Sequence, residues 1–145
     1  MTSLDLLTAL ADRCREGLET LASNPSSSLK GFPNAACGDS AEIVGRVLKE
    51  VAGMDGRYVC GSDHSDMKPS QSHAWYEVGD YIVDITHDQF EGTGLVGWVF
   101  DRDHSWYERF ATRQVHDGFC MPNQWPCYPH DGYRAVAKVL VNRPI

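Results

Sequence analysis

The stretch that decides the fold is His73-Ala74-Trp75-Tyr76-Glu77-Val78-Gly79-Asp80-Tyr81-Ile82-Val83-Asp84-Ile85-Thr86. Two runs of β-favouring residues flank Gly79-Asp80, the two-residue signal of a hairpin with a type I′ or II′ turn. That turn sets the register: Val78 faces Tyr81, Trp75 faces Asp84 and His73 faces Thr86. Side chains alternate between faces, so Ala74, Tyr76, Val78, Tyr81, Val83 and Ile85 form one apolar face, and His73, Trp75, Glu77, Ile82, Asp84 and Thr86 the other. His73 and Asp84 are diagonal neighbours on the second face, with Cβ atoms roughly 7 Å apart or slightly less, within reach of a carboxylate–imidazole hydrogen bond. A carboxylate on one ring nitrogen fixes the tautomer, so that the other nitrogen can take a proton from a thiol and later return it to a leaving amine.

The thiol that such a base needs lies upstream. Gly31-Phe32-Pro33-Asn34 is a bent linker in which Pro33 enforces an extended approach. A helix is expected from about Cys37, with Cys37, Ala41, Val44, Val47, Leu48 and Val51 on one face and Gly53 and Gly56 as its stop. At a helix start, unpaired N–H groups and the helix dipole can lower a thiol pKa from about 8.5 towards neutrality, and the same N–H groups can hold a developing oxyanion. Membership of the apolar stripe favours the blander reading of Cys37 as a buried structural thiol. The His73–Asp84 pair shifts the balance towards a nucleophile, provided that the hairpin stacks against the start of this helix.

Elsewhere the chain supplies a core. Leu4, Leu7, Leu10, Ala11, Cys14, Leu18 and Leu21 recur at helical spacing, which predicts an amphipathic helix capped by Thr2 or Ser3 with Asp5 near its positive end. Cys14 falls within that stripe as an inert core thiol. Asn24-Pro25-Ser26-Ser27-Ser28 breaks the helix. Tyr58-Val59-Cys60 predicts a short strand, Ser62 to Ser72 a polar loop, Gly97-Trp98-Val99-Phe100 a further strand and His104 to Phe110 a short helix or turn. Val115 to Asp131, with its prolines, is expected to be loop. Gly132 to Asn142 fits helix or strand, with a lean to helix capped by Asp131. Trp98, Trp106 and Trp125 are most simply core or rim aromatics.

Composition narrows the function. With 145 residues one domain is expected, and 42% apolar with 23% charged residues is ordinary for a folded soluble chain. A formal net charge of -7 with dispersed basic residues argues against a nucleic-acid face. The N-terminus has neither a basic n-region nor a long apolar run, so a cytoplasmic protein is the default expectation, with a toxin or effector released by an unconventional route as the exception. Five cysteines, an odd number widely spread, do not form a disulfide framework. His87-Asp88, His116-Asp117 and His130-Asp131 have no metal-ligand spacing, so neither metal nor other cofactor is expected.

Gly31-Phe32-Pro33, Cys37-Gly38-Asp39-Ser40-Ala41, Ser72-His73-Ala74-Trp75-Tyr76-Glu77-Val78 and Val83-Asp84-Ile85-Thr86 together resemble the transglutaminase-like superfamily of cysteine enzymes, whose fold is papain-like. Ile85-Thr86-His87-Asp88-Gln89-Phe90 and Asp103-His104-Ser105-Trp106-Tyr107-Glu108-Arg109-Phe110 extend the resemblance to small bacterial members of that superfamily. It spans roughly residues 31 to 110. It implies an α+β fold, with the Cys37 helix packed on an antiparallel sheet, and a catalytic triad of Cys37, His73 and Asp84. Hydrolysis of an amide or peptide bond through a thioester is the first expectation, with a protein, a peptide or a small amide as substrate. Acyl transfer or Gln deamidation is the alternative within the class, and a non-enzymatic scaffold the alternative outside it. The linker before Cys37 has neither the Gln nor the Trp that related enzymes use as second oxyanion donor. Asn34, Gln71, Trp75 and Gln89 are the candidates for oxyanion or substrate contact.

Overall fold

A computed structural model describes residues 1–145. It is an α+β fold in which helices flank a five-stranded antiparallel sheet. The first helix, α1 (Ser3–Glu19), opens with a capping box: Thr2 Oγ1 accepts from the Asp5 N–H, and the Thr2 N–H donates to the Asp5 carboxylate, both at 3.1 Å. Leu7, Leu10, Ala11, Cys14 and Leu18 are buried along its stripe, whereas Leu4 is exposed. α2 (Cys37–Ala52) begins at the nucleophile candidate and ends at Gly53, whose φ of 66° gives the left-handed cap that a Cβ would disfavour.

The sheet comprises β1 (Arg57–His64), β2 (Ser72–Val78), β3 (Tyr81–Val83), β4 (Val99–Asp101) and β5 (Phe110–Asp117), in the order β4-β3-β2-β1-β5. The deciding hairpin has the derived register as far as it pairs, with Val78 opposite Tyr81, Glu77 opposite Ile82 and Tyr76 opposite Val83. But β3 ends at Val83, three residues short of the expected Thr86, so the expected Trp75–Asp84 and His73–Thr86 pairs do not form and the Asp84 N–H bonds the Trp98 carbonyl instead. Its apolar face, through Tyr76, Val78, Val83 and Ile85, packs with α1 and α2 into the larger core. The other face carries Trp75 and Ile82 into a second core with Phe100, Trp106, Tyr107 and Phe110. Both faces of β2 are therefore covered, and His73 lies buried at its start.

Three expectations are corrected. β1 runs on to His64, because Ser62 pairs with Ser72 on one side and Thr112 on the other, so the expected loop from Ser62 begins as strand. β5 occupies residues expected as turn or loop, including Val115 to Asp117. As an edge strand exposed beyond Phe110, it carries no burial alternation, and its conformation is dictated by β1. The tail is helical, α4 (His130–Asn142), but its N-cap is Pro129 with no side-chain cap. Asp131 lies inside the first turn, where it accepts from Ser27 Oγ at 2.6 Å. A short helix, α3 (Ser105–Glu108), matches the expected turn between β4 and β5. α1 and α4 cross closely at Gly17, where a Cβ would stand 2.8 Å from the backbone N and Cα of Val136. No helix is long and apolar enough to cross a membrane.

Candidate active site

Cys37 opens α2 behind Ala36, an N-cap that supplies no side-chain hydrogen bond, so the first-turn N–H groups beside the thiol are left uncapped. The helix lies on the apolar face of the hairpin, and its first residue reaches the beginning of β2, where Cys37 lines a narrow gap with Ala74 beside the His73 imidazole. Burial, the largest influence, pushes the Cys37 thiol up. The adjoining His73 imidazole, helped by the Ala74 backbone, outweighs it and holds the thiol below its ordinary value.

His73 is fully buried, and its Nε2 hydrogen bonds to Asp84 Oδ2 at 2.7 Å. Nδ1 has no partner that meets hydrogen-bond geometry, which leaves it as the nitrogen turned to Cys37. Phe90 and Trp106 meet the ring edge-on, with centroids 5.1 and 6.0 Å away, and exclude water from it. Burial, again the largest influence, pushes His73 down. The Asp84 charge and hydrogen bond, then Cys37, raise it to about 9. The opposed directions at Cys37 and His73 favour the proton on the imidazole and the charge on sulfur.

Asp84 is buried at the end of β3, held by its N–H to the Trp98 carbonyl at 2.8 Å. Its Oδ2 also accepts from the Tyr107 hydroxyl at 2.5 Å, and Oδ1 accepts from the Thr86 N–H at 3.1 Å. Burial raises its carboxyl, but the His73 charge, the bonds from His73 and Tyr107, and the charge of His87 together hold it below the ordinary carboxylate range. Burial followed by the Asp84 charge pushes the Tyr107 hydroxyl far up, so it stays a donor. Tyr107 is the functional residue that sequence reasoning missed. It belongs to the quoted Asp103–Phe110 segment, but only the packing of α3 on the second core aims its hydroxyl at Asp84.

The expected substrate contacts separate. Trp75 is fully buried and its indole N–H donates to Glu77 Oε2 at 3.0 Å, in a cluster closed by Arg57 and Arg102, so it supports the strand and has no path to a substrate. Gln71 Oε1 accepts from the Lys68 N–H, and the Gln89 amide donates to the Thr86 carbonyl. Both line an opening of about 390 Å³ beside Phe90 and Trp106, on the His73 side. Asn34 is exposed on the linker. A second opening, of about 370 Å³, lies on the α2 side between Gly38, Glu42, Tyr58, His116 and Trp125. Beneath the triad the gap between Cys37, Ser40, Ala74 and Asp84 is too narrow for a water molecule. The two larger depressions, about 470 and 500 Å³, lie at the Gly79–Asp80 end of the sheet and contain no nucleophile.

Comparison of the chain with protein-family models, with curated proteins and with solved structures finds no match in any of the three. A functional reading therefore rests on the chemistry of the site.

Proposed function

We propose that this chain is a cysteine-dependent hydrolase of amide or peptide bonds, built on a papain-like, transglutaminase-like arrangement of the nucleophile helix and the sheet. The observation that carries the reading is the buried His73–Asp84 bond of 2.7 Å, with the remaining imidazole nitrogen turned to a thiol at a helix start. A structural cysteine needs no buried imidazole, and a buried histidine needs no second unpaired nitrogen.

The reaction follows from the positions of the protons. Cys37 Sγ attacks the carbonyl carbon as thiolate, and the carbonyl π pair moves to oxygen, where the Cys37 N–H can receive it. As the C–N bond breaks, the His73 imidazolium gives its proton to the amine, leaving a thioester on Cys37. His73, now neutral, takes a proton from water, whose oxygen attacks the thioester and releases the acid and the thiolate. Asp84 keeps the ring oriented and stabilises its charged form in both halves, with Tyr107 and Thr86 holding the carboxylate still. A protein or peptide is the expected substrate, approaching along the two openings that flank Cys37.

A chromogenic acyl donor tests this directly. p-Nitrophenyl acetate should give a burst of nitrophenolate and an acetyl adduct on Cys37 by mass spectrometry, absent in Cys37→Ala and suppressed in His73→Ala. Acetylation spread over the other cysteines at equal rate would refute the reading.

A further inference from the structure

A second oxyanion donor is the part of this chemistry that the expected residues do not supply. Trp75 and Gln89 are committed to Glu77 and to the Thr86 carbonyl, Gln71 lines the opening beside Phe90 and Trp106, which Cys37 does not share, and Asn34 is exposed on the linker.

A different side chain stands at the right place. β1 pairs with β2 so that Cys60 is opposite Ala74 and Tyr58 opposite Tyr76, which puts Tyr58 and Cys60 on the sheet face covered by α2. Ala74 lines the same narrow gap as Cys37, so Tyr58, opposite Tyr76, stands two residues along the sheet from the nucleophile, under the first turn of the helix. Its hydroxyl lies 3.4 Å from the point that a Cβ on Gly38 would occupy. Gly38 has no Cβ, which leaves that hydroxyl uncovered towards the opening it shares with Trp125 and His116. The Tyr58 hydroxyl has no hydrogen-bond partner within the protein, unlike Tyr107, which is bonded to Asp84, and Tyr133, which is bonded to Glu50.

We propose that Tyr58 is a catalytic residue, its hydroxyl donating to the oxyanion that forms when Cys37 attacks a carbonyl, opposite the Cys37 N–H. This inference rests on the hydrolase reading and deepens it. In the step concerned, the Sγ–C bond forms, the carbonyl pair becomes the oxygen's charge, and the phenol donates a hydrogen bond without giving up its proton. The pair returns to carbon as the bond to the leaving group breaks. Burial, with the neighbouring Cys60 and Cys37 sulfurs and the Glu42 and Asp39 carboxylates, pushes the phenol up, so it remains a donor throughout the neutral range. The acyl portion of the substrate accordingly occupies the Tyr58–Trp125 opening, and the leaving group the Gln71–Phe90 side.

The test separates oxyanion stabilisation from thiolate formation. Acylation of Cys37 by p-nitrophenyl acetate passes through an oxyanion, whereas alkylation by iodoacetamide displaces iodide without one. Tyr58→Phe should slow the acylation burst by on the order of 100-fold, while the rate and pH midpoint of Cys37 alkylation stay at the wild-type values. Acylation at the wild-type rate would overturn the proposal. So would a fall in acylation matched by an equal fall in alkylation, which would make Tyr58 a partner of the thiolate. A wild-type Cys37 that iodoacetamide modifies no faster than exposed Cys127 would overturn the hydrolase reading itself, and this inference with it.

Discussion

Replacing Asp84 with Asn removes one charge while keeping the side-chain shape, which isolates the electrostatic role of the carboxylate. With its carbonyl oxygen in the place of Oδ2, Asn can still accept from His73 Nε2 and from Tyr107, so the ring orientation should survive, while its NH2 group replaces the oxygen that accepts from the Thr86 N–H. What disappears is the main influence that raises His73 against its burial. Without it the desolvation of a wholly buried imidazole prevails, and the His73 pKa should fall from about 9 to its ordinary value of 6.5 or below. At 1.36 kcal/mol per pH unit, that fall destabilises the imidazolium by roughly 3 kcal/mol. At neutral pH the proton then returns to sulfur, and Cys37 becomes a neutral thiol. The assay is an NMR titration of the His73 ring protons in the wild type and in Asp84→Asn. A midpoint that stays near 9 in the variant would refute the assignment of Asp84 as the source of the shift.

Three further outcomes are expected. In the wild type the lowered Cys37 thiol binds fewer protons in the folded state than in the unfolded chain, and the raised His73 binds more, so their contributions to the pH slope oppose each other. Cys37→Ala removes the opposing thiol: the raised His73 pKa contributes stability that is complete below 6.5 and lost as pH rises, so urea midpoints should decline with pH more steeply in the variant than in the wild type. Tyr107→Phe takes a donor from buried Asp84 and should cost about 1–3 kcal/mol in urea unfolding, with His73 still bonded to Asp84; an unchanged midpoint would argue against the Tyr107 bond. Gly17→Ala drives a methyl into the Val136 backbone 2.8 Å away and should lower stability by about 1–3 kcal/mol without altering Cys37 alkylation.

The parts that were legible in the sequence are those governed by short-range rules. Gly79-Asp80 fixes a two-residue turn and the turn fixes register as far as Tyr76–Val83, so the His73–Asp84 pair was legible by extending the period of two one residue past the ladder, where the Trp98 carbonyl holds the Asp84 backbone. The start of α1 followed from Thr2 or Ser3 as cap with Asp5 near its positive end, of which the structure selects Thr2, and that of α2 from the bend before Cys37. β5 was hidden because its residues satisfy backbone pairing with β1 while their side chains face outward, leaving no hydrophobic period to read. Tyr107 and Tyr58 were hidden for a related reason. Each approaches its partner across a sequence separation that no turn rule spans, Tyr107 through the second core and Tyr58 through strand pairing beneath α2. Trp75 was drawn towards the substrate by its motif, but its indole N–H completes the buried Glu77 cluster instead.

The central claim is that Cys37 and His73 share one proton in a way that leaves the thiol reactive at neutral pH. Iodoacetamide modification followed cysteine by cysteine across pH, with His73→Ala in parallel, measures that sharing directly. Cys14, buried and pushed up to about 12, and Cys60, raised chiefly by burial, should be slow, and Cys127 is the exposed reference. Cys37, although less exposed than Cys127, should react faster than Cys127 near neutrality and lose that advantage in His73→Ala. A Cys37 no faster than Cys127, or one indifferent to His73, would contradict that claim.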